Sequence, residues 1–287
     1  MAENCFYYDG SRCIACRSCQ VACKQWNRLP GEKTKFFAAP GGYQNPADLS
    51  PQTWNIIKFH EMETPDGVAW FFRRRHCSHC TDAKCIEVCP VEPVKAMTRH
   101  PEFGTVYVNK ELCVGCGACE EACPYGVPHV DEDLEKSRKC TGCIDRVTND
   151  LLPACAKTCP TMAIRYGAKA EMYALAEDRA KELKRQGFKD ANVYGLDQAG
   201  GLHSIYVLLA KPQVYGLPLQ PTTGDLEPIK AKAKEKYAAW QRDHHTNRAS
   251  VTGGPVGAAL AVGLAAAAGL KKLTDRKEKV AAEEKED

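Results

Sequence analysis

Sixteen of the seventeen cysteines fall into four quartets whose spacing suits cubane iron–sulfur clusters. Cys13, Cys16, Cys19 and Cys23 read C-x2-C-x2-C-x3-C, and Cys113, Cys116, Cys119 and Cys123 repeat that spacing. Cys77, Cys80, Cys85 and Cys89 stretch the middle gap to four residues. Cys140, Cys143, Cys155 and Cys159 stretch it further but keep the opening C-x2-C and the closing C-x3-C. Pro90, Pro124 and Pro160 follow the last cysteine of three quartets. Three closely spaced thiolates on one loop can each reach a different iron of a cube, which leaves one iron for a distant cysteine. A proline after that cysteine turns the chain away and removes an amide hydrogen from the site. The chemistry this implies is electron transfer.

Zinc and disulfides are the competing uses of such cysteines. C-x2-C pairs do bind zinc, but a C-x2-C-x2-C triple crowds a single tetrahedral ion. Disulfides account for neither the repeated triple nor the Cys-Pro endings. Sixteen thiolates at four per cluster predict four [4Fe–4S] clusters, with the same sixteen cysteines as iron ligands. A cluster with four cysteine ligands has no open position for substrate. No Gly-rich phosphate loop, nucleophile–base pair or pterin-binding signal stands out, so no catalytic residue is assigned. His76 and His79 flank Cys77, but the cysteines already fill four cubes, which leaves these histidines supporting or surface roles. Cys5 lies outside every quartet and reads as a small buried strand residue.

The quartets repeat a unit, and a repeat constrains the fold before anything else does. In bacterial two-cluster ferredoxins the fourth cysteine of each motif ligates the other cluster. The second and third quartets are separated by a short segment with an alternating strand signal at 105–108, and should form one module. There Cys77, Cys80 and Cys85 join Cys123 on one cluster, while Cys113, Cys116 and Cys119 join Cys89 on the other. The first and fourth quartets then form a second module around it. Cys13, Cys16 and Cys19 join Cys159, and Cys140, Cys143 and Cys155 join Cys23.

The fold class expected is α+β: two nested ferredoxin-like modules with a C-terminal extension and a single transmembrane helix. The outer module takes residues 1–28 and 136–167, and the inner one 76–135. An insertion at 29–75 holds a Gly/Pro/Asn-rich loop and a hairpin, 54–63 with 68–74, turning at Pro65-Asp66-Gly67. Short strands are expected at 5–8 and 163–166, and a helix at 19–26. Residues 168–250 form a covering region, with helical spacing over 168–186 stopped by Gly187 and a strand-like run at 204–210. So many ligands in 160 residues leave little conventional core, so ligation must supply much of the folding energy. The formal charge of +3 is nearly neutral, and the basic residues are scattered, which gives no footprint for nucleic acid. Arg73, Arg74 and Arg75 form one isolated run, read either as a solvated strand end or as electrostatic tuning of the neighbouring Cys77 quartet.

These motifs resemble the four-cluster electron-transfer subunits that partner molybdopterin oxidoreductases, and within them the iron–sulfur (beta) subunit of membrane-bound formate dehydrogenase. The carrying stretches are CIACRSCQVACKQWN from Cys13, QNPADLS from Gln44, RHCSHCTDAKCIEVCP from Arg75, GCGACEEACPYGVP from Gly115, KCTGCIDRV from Lys139 and PACAKTCPTMAIRYG from Pro153. The quartets are common to the whole four-cluster group. CKQWN, LAEDRAKELKRQGF, VYG and GGLHSIYVL are closer to formate dehydrogenase. The resemblance covers residues 3 to 220 and implies a non-catalytic subunit of an anaerobic respiratory complex. Formate would be oxidised on a separate molybdenum or tungsten pterin subunit, and the electrons passed toward a cytochrome b subunit and quinone. The rival readings are the electron-transfer partner of a terminal reductase (dimethyl sulfoxide, polysulfide or nitrite type), with electrons running the other way, and a free-standing polyferredoxin. The long cluster-free C-terminal region argues against the polyferredoxin.

Residues 251–270 carry no charge over the length of a membrane span. Their composition is mostly Ala and Gly, and Gly253, Gly257, Ala261, Ala265 and Gly269 recur every fourth residue, as in closely packed membrane helices. A transmembrane helix is expected there, followed by a charged tail at 271–287. Lys and Arg are nearly balanced across the segment, so charge does not orient it. The N-terminus lacks the apolar core of a signal peptide. The resembling enzymes are exported folded, on a twin-arginine signal carried by the catalytic partner, so the expected location is the periplasmic face of the inner membrane.

Overall fold

The structure, a computed structural model, describes residues 3–35, 43–64 and 67–248. The first strand, β1 (Asn4–Asp9), shows how the molecule is organised. Its side chains alternate between two faces, as a strand requires. Phe6 and Tyr8 join a core that contains Cys19, Cys23, Cys140 and Cys155. Cys5 and Tyr7 join a second core on the opposite face, with Ala176, Ala180 and Leu183. One face of this strand therefore looks at the sulfurs and the other at a covering helix.

In chain order β1 is followed by α1 (Ser18–Trp26), β2 (Ile56–Thr64), β3 (Gly67–Arg75), α2 (Lys84–Glu87), β4 (Met97–Arg99), β5 (Val106–Val108) and α3 (Ala118–Glu121). Then come β6 (His129–Asp131), β7 (Lys136–Arg138), α4 (Ile144–Val147), α5 (Ala154–Lys157), β8 (Ile164–Ala168) and α6 (Lys169–Arg185). The chain continues with β9 (Asn192–Tyr194), β10 (Ser204–Leu208) and α7 (Glu227–Arg248).

The strands bring distant cysteines together. β1, just before Cys13, pairs antiparallel with β8, just after Cys159, in the register Phe6↔Tyr166. β4 and β5 pair as Thr98↔Tyr107 and close the chain between Cys89 and Cys113. β6 and β7 pair as Val130↔Ser137 between Cys123 and Cys140. Among the helices, α1 packs on α5 and α2 packs on α3, so the helices that carry the third cysteine of each quartet meet in pairs, Cys19 with Cys155 and Cys85 with Cys119.

The sheet around β1 has the order β8-β1-β10-β9, and β1 runs parallel to β10 in the register Tyr7↔Ile205. β10 is buried along its whole length, which fits its apolar run. α6 covers the sheet with Ala176, Ala180 and Leu183, spaced to lie on one helical face. Truncating the fully buried Leu183 to Ala would cost about 2–5 kcal/mol. Gly187, at φ 101, ends that helix just beyond its last turn.

The hairpin of β2 and β3 runs from Ile56↔Arg75 to Thr64↔Gly67. The expected turn residues Pro65 and Asp66 lie outside the described residues. The hydroxyl of Tyr8 donates to the Phe72 carbonyl at 2.9 Å and ties the hairpin to β1. α7, whose sequence carries only a weak apolar stripe, lays Ala233 against Val88, Ala118 and Ala122, which carries it over α3. The predicted span at 251–270 lies outside the described residues, and no described helix is long and apolar enough to cross a membrane.

Candidate iron–sulfur sites

A local turn recurs in all four quartets. The residue before the second cysteine is left-handed each time: Ala15 (φ 54), His79 (φ 48), Gly115 (φ 66) and Gly142 (φ 66). That conformation folds the loop back so that its own amide meets the first sulfur. The amide of His79 donates to Cys77 Sγ at 3.4 Å, and that of Gly142 donates to Cys140 Sγ at 3.4 Å. Left-handed backbone is unfavourable for Ala and His. Holding it there is a use for the packing around the loops.

The sixteen sulfurs gather in groups of four. Cys13, Cys16, Cys19 and Cys159 line one cavity. Cys89, Cys113, Cys116 and Cys119 line another. Burial pushes the Cys23 thiol well up, and the next influences on it are Cys140, Cys143 and Cys155. Burial likewise raises Cys80, and the next influences on it are Cys77 and Cys123. All of these cysteines are free thiols.

The groups also follow one another. Burial pushes Cys19 up to about 12, Arg74 pulls against it, and Cys155 of the next group adds to the rise. Burial pushes Cys140 up to about 11, and its leading neighbour, Cys77, belongs to a third group. Cys119 of the fourth group is among the influences on buried Cys85. The order is thus Cys13 group, Cys140 group, Cys77 group, Cys113 group. At the first end Cys16 is exposed. At the other, α7 crosses the site and Lys236 Nζ donates to the Cys116 carbonyl at 3.0 Å.

This donor set fits iron. Buried thiols held near one another resist ionisation when bare, and cations bound among them would reverse that. Polar groups already point at the sulfurs. Ser137 donates its amide to Cys113 Sγ at 3.3 Å, and its hydroxyl lies 3.2 Å from Cys119 Sγ. Arg74 Nη2 donates to Cys155 Sγ at 2.9 Å, and Lys139 Nζ to Cys77 Sγ at 3.5 Å. Burial works to lower the Lys139 ammonium, but Cys77, Cys85 and Cys140 outweigh it and hold its pKa above the usual lysine value.

The arginine run differs from both sequence readings. Arg73 and Arg74 are buried, at 7% and 1% exposure, rather than solvated. Arg74 reaches the fourth quartet rather than the adjacent Cys77 quartet. Arg75 donates to the Tyr125 carbonyl at 3.0 Å. His76 and His79 are buried as well, which removes the surface reading. His76 Nε2 sits 2.8 Å from Ser204 Oγ, and His79 Nδ1 lies 3.0 Å from the Val106 carbonyl. Burial, then Arg74 for His76 and Lys139 for His79, keeps both imidazoles neutral by driving their pKa values well down. Their ligand atoms and Cys140 Sγ lie within 4.8 Å of one another, so both rings stand where the Cys140 and Cys77 groups meet. Cys5 faces the second core, under α6, rather than the core that holds Cys19, Cys23, Cys140 and Cys155. It is fully buried in β1, and burial lifts its thiol to about 12.

The region after the last quartet also holds a cluster loop. Cys80 forms an antiparallel bridge with Leu202. Beside it the Thr81 amide donates to the Gly201 carbonyl at 3.0 Å and the Asp82 amide to the Ala199 carbonyl at 2.8 Å.

Fold and sites define a protein of the 4Fe–4S dicluster class. Two such domains match, over residues 12–93 and 68–169. The chain is 41% identical over 223 residues to the nitrate-inducible formate dehydrogenase iron–sulfur subunit of Escherichia coli, covering 77% of this chain and 74% of that one. It is 39% identical over 216 residues to the formate dehydrogenase iron–sulfur subunit of Haemophilus influenzae, covering 74% and 68%. To formate dehydrogenase 2 subunit beta (cytochrome c-553) of Nitratidesulfovibrio vulgaris it is 35% identical over 215 residues, covering 73% and 95%. The chain belongs to the family of formate dehydrogenase iron–sulfur subunits, [4Fe–4S] proteins that transfer electrons.

Proposed function

We propose that this chain is the electron conduit between a formate-oxidising pterin subunit, carrying molybdenum or tungsten, and a cytochrome b subunit that serves quinone. Its four groups of sulfur would hold four [4Fe–4S] clusters. Cys13, Cys16, Cys19 and Cys159 hold one, and Cys23, Cys140, Cys143 and Cys155 the next. Cys77, Cys80, Cys85 and Cys123 hold the third, and Cys89, Cys113, Cys116 and Cys119 the last. This crossing of fourth ligands makes two nested ferredoxin-like modules. The observation that carries the reading is the unbroken succession of the four groups, with a sulfur of each influencing a sulfur of the next. Each cluster, when bound, accepts and releases one electron. The protein supplies the ligands, donates hydrogen bonds to sulfur and excludes water, which together set the potential.

The uncharged segment 251–270 supports a membrane anchor, with the globular part on the periplasmic face. α7 leads into that segment from over the Cys113 group, which favours that group as the end nearer the acceptor. Protein prepared without oxygen should hold about sixteen iron and about sixteen acid-labile sulfide per chain. In complex with its large subunit, those centres should be reduced by formate. Stoichiometric zinc without iron would end the cluster reading. Centres that formate leaves oxidised would point to the partner of a terminal reductase.

A further inference from the structure

Two buried cations stand at successive joints of the sulfur chain. Arg74 is 1% exposed and Lys139 is 2% exposed. Asn55 Oδ1 accepts from Arg74 Nε at 2.8 Å, and the guanidinium carbon lies 4.9 Å from the centroid of the Phe6 ring. These contacts aim Nη2 at Cys155 Sγ, 2.9 Å away, while Nη1 is buried without a hydrogen-bond partner among the described residues. Lys139 Nζ donates to the Cys140 carbonyl at 3.1 Å, to the Val106 carbonyl, and to Cys77 Sγ at 3.5 Å. The opposing charges that act on Arg74 are led by Cys155, Cys19 and Cys140, and those on Lys139 by Cys77, Cys85 and Cys140. Sulfur, not a carboxylate, answers both charges. Cys140 is the member common to the two sets.

We propose that Arg74 and Lys139 act as fixed cations that raise the reduction potentials of the clusters on either side of them, and most of all that of the shared Cys23–Cys140–Cys143–Cys155 cluster. The inference rests on the four-cluster reading above. Reduction adds one negative charge to a cluster. A cation held nearby at low dielectric stabilises the reduced state more than the oxidised one. Arg74 donates to Cys155 of the Cys140 group and acts electrostatically on Cys19 of the Cys13 group, and Lys139 donates to Cys77 Sγ and the Cys140 carbonyl, at the joint between those two groups. The effects therefore overlap on one centre only, which a purely architectural role for these side chains would not produce.

The test uses the full chain, prepared without oxygen, as Arg74→Gln, Lys139→Gln and the charge-keeping Arg74→Lys and Lys139→Arg. Iron and sulfide are counted first, and the centres are then titrated by low-temperature electron paramagnetic resonance. Parental protein short of about sixteen iron would fail the four-cluster reading itself, separately from this inference. With iron intact, each glutamine variant should lower two midpoints. One centre should move in both, its reduced-to-oxidised ratio at fixed potential falling about tenfold, which is about 59 mV for a one-electron couple. One centre should move in neither variant, and the charge-keeping variants should restore most of the shift. Unmoved midpoints, or equal shifts of all four centres, overturn the proposal. Loss of iron from both glutamine variants also overturns it, because the cations would then be needed to assemble the sites rather than to tune them.

Discussion

Gly115 lies against the backbone of Glu135, so close that a β-carbon on Gly115 would sit 2.7 Å from the Glu135 carbonyl carbon. Gly115 is the left-handed residue of the third quartet, at φ 66, and Glu135 precedes β7 at φ 49. Two left-handed turns thus interlock: the loop that presents Cys113 and Cys116 rests on the turn of the β6–β7 hairpin. The hairpin in turn places Ser137 on Cys113 and Cys119.

Gly115→Ala should therefore damage one site and spare the rest. The left-handed backbone costs an alanine about 1 kcal/mol, and the neighbouring atoms are backbone, which cannot rotate away. The variant should hold about twelve iron instead of about sixteen, and unfold at lower temperature. Ala15→Gly at the equivalent position of the first quartet should keep the full complement. A Gly115→Ala protein with full iron and an unchanged melting temperature would show that the loop adapts.

The sequence made the cysteine loops legible because their spacing is local: it says which thiolates share a loop, though not which distant cysteine joins them. The nearby strands and helix α6 were equally readable, since their alternation or helical spacing is complete within one segment. Parallel pairing of β1 with β10 was not, because nothing in residues 4–9 names a partner two hundred positions away. Arg74 misled for the same reason. Its neighbour in sequence is the Cys77 quartet, but alternation along β3 turns it to the opposite face from Arg73 and Arg75, toward Cys155. The left-handed turns had a signal at Gly115 and Gly142, and none at Ala15 and His79. α7 is polar over most of its surface and touches the module through few apolar side chains, so its sequence carries a weak stripe.

The stability of the protein should fall as pH drops from about 6.5 toward 4, in part through His60. Burial first, and then Arg73 and Lys58, hold its imidazole down at about 4. In the unfolded chain it titrates near 6.5. Above that pH both states are neutral and the full stability is present. Below it the unfolded chain gains a proton that the folded protein refuses, so stability is lost until the folded imidazole protonates in turn. Allowing for the partial exposure of the ring, the effect is on the order of 1–2 kcal/mol. His60→Gln should flatten this part of the pH profile of anaerobic thermal unfolding. An unchanged profile would place the acid sensitivity elsewhere.

Deleting everything after Ser250 should release the complex from membranes and leave the iron content unchanged. The uncharged run 251–270 motivates this. The described contacts of the sulfur groups, including those of Ala233, Lys236 and Tyr237 in α7, all precede it. Fractionation of cells carrying the truncated chain gives the measurement. Full retention in the membrane would assign anchoring to another subunit, and loss of iron would make the segment part of the fold.

Cys23→Ser gives the sharpest reading of the crossed ligands. α1 carries both Cys19 and Cys23, yet the two sulfurs face different groups. Cys19 lines the void with Cys13, Cys16 and Cys159, while the thiols that act on Cys23 are Cys140, Cys143 and Cys155. A serine oxygen in place of one soft thiolate should shift the potential of that cluster or convert it to a three-iron form. Neighbouring clusters would keep their ligands and respond only through charge. Cys23→Ser and Cys140→Ser should then perturb the same centre in a low-temperature electron paramagnetic resonance titration, and Cys13→Ser a different one. A Cys23→Ser spectrum that matched Cys13→Ser and departed from Cys140→Ser would mean that each quartet binds its own cluster, and the two nested modules would have to be abandoned.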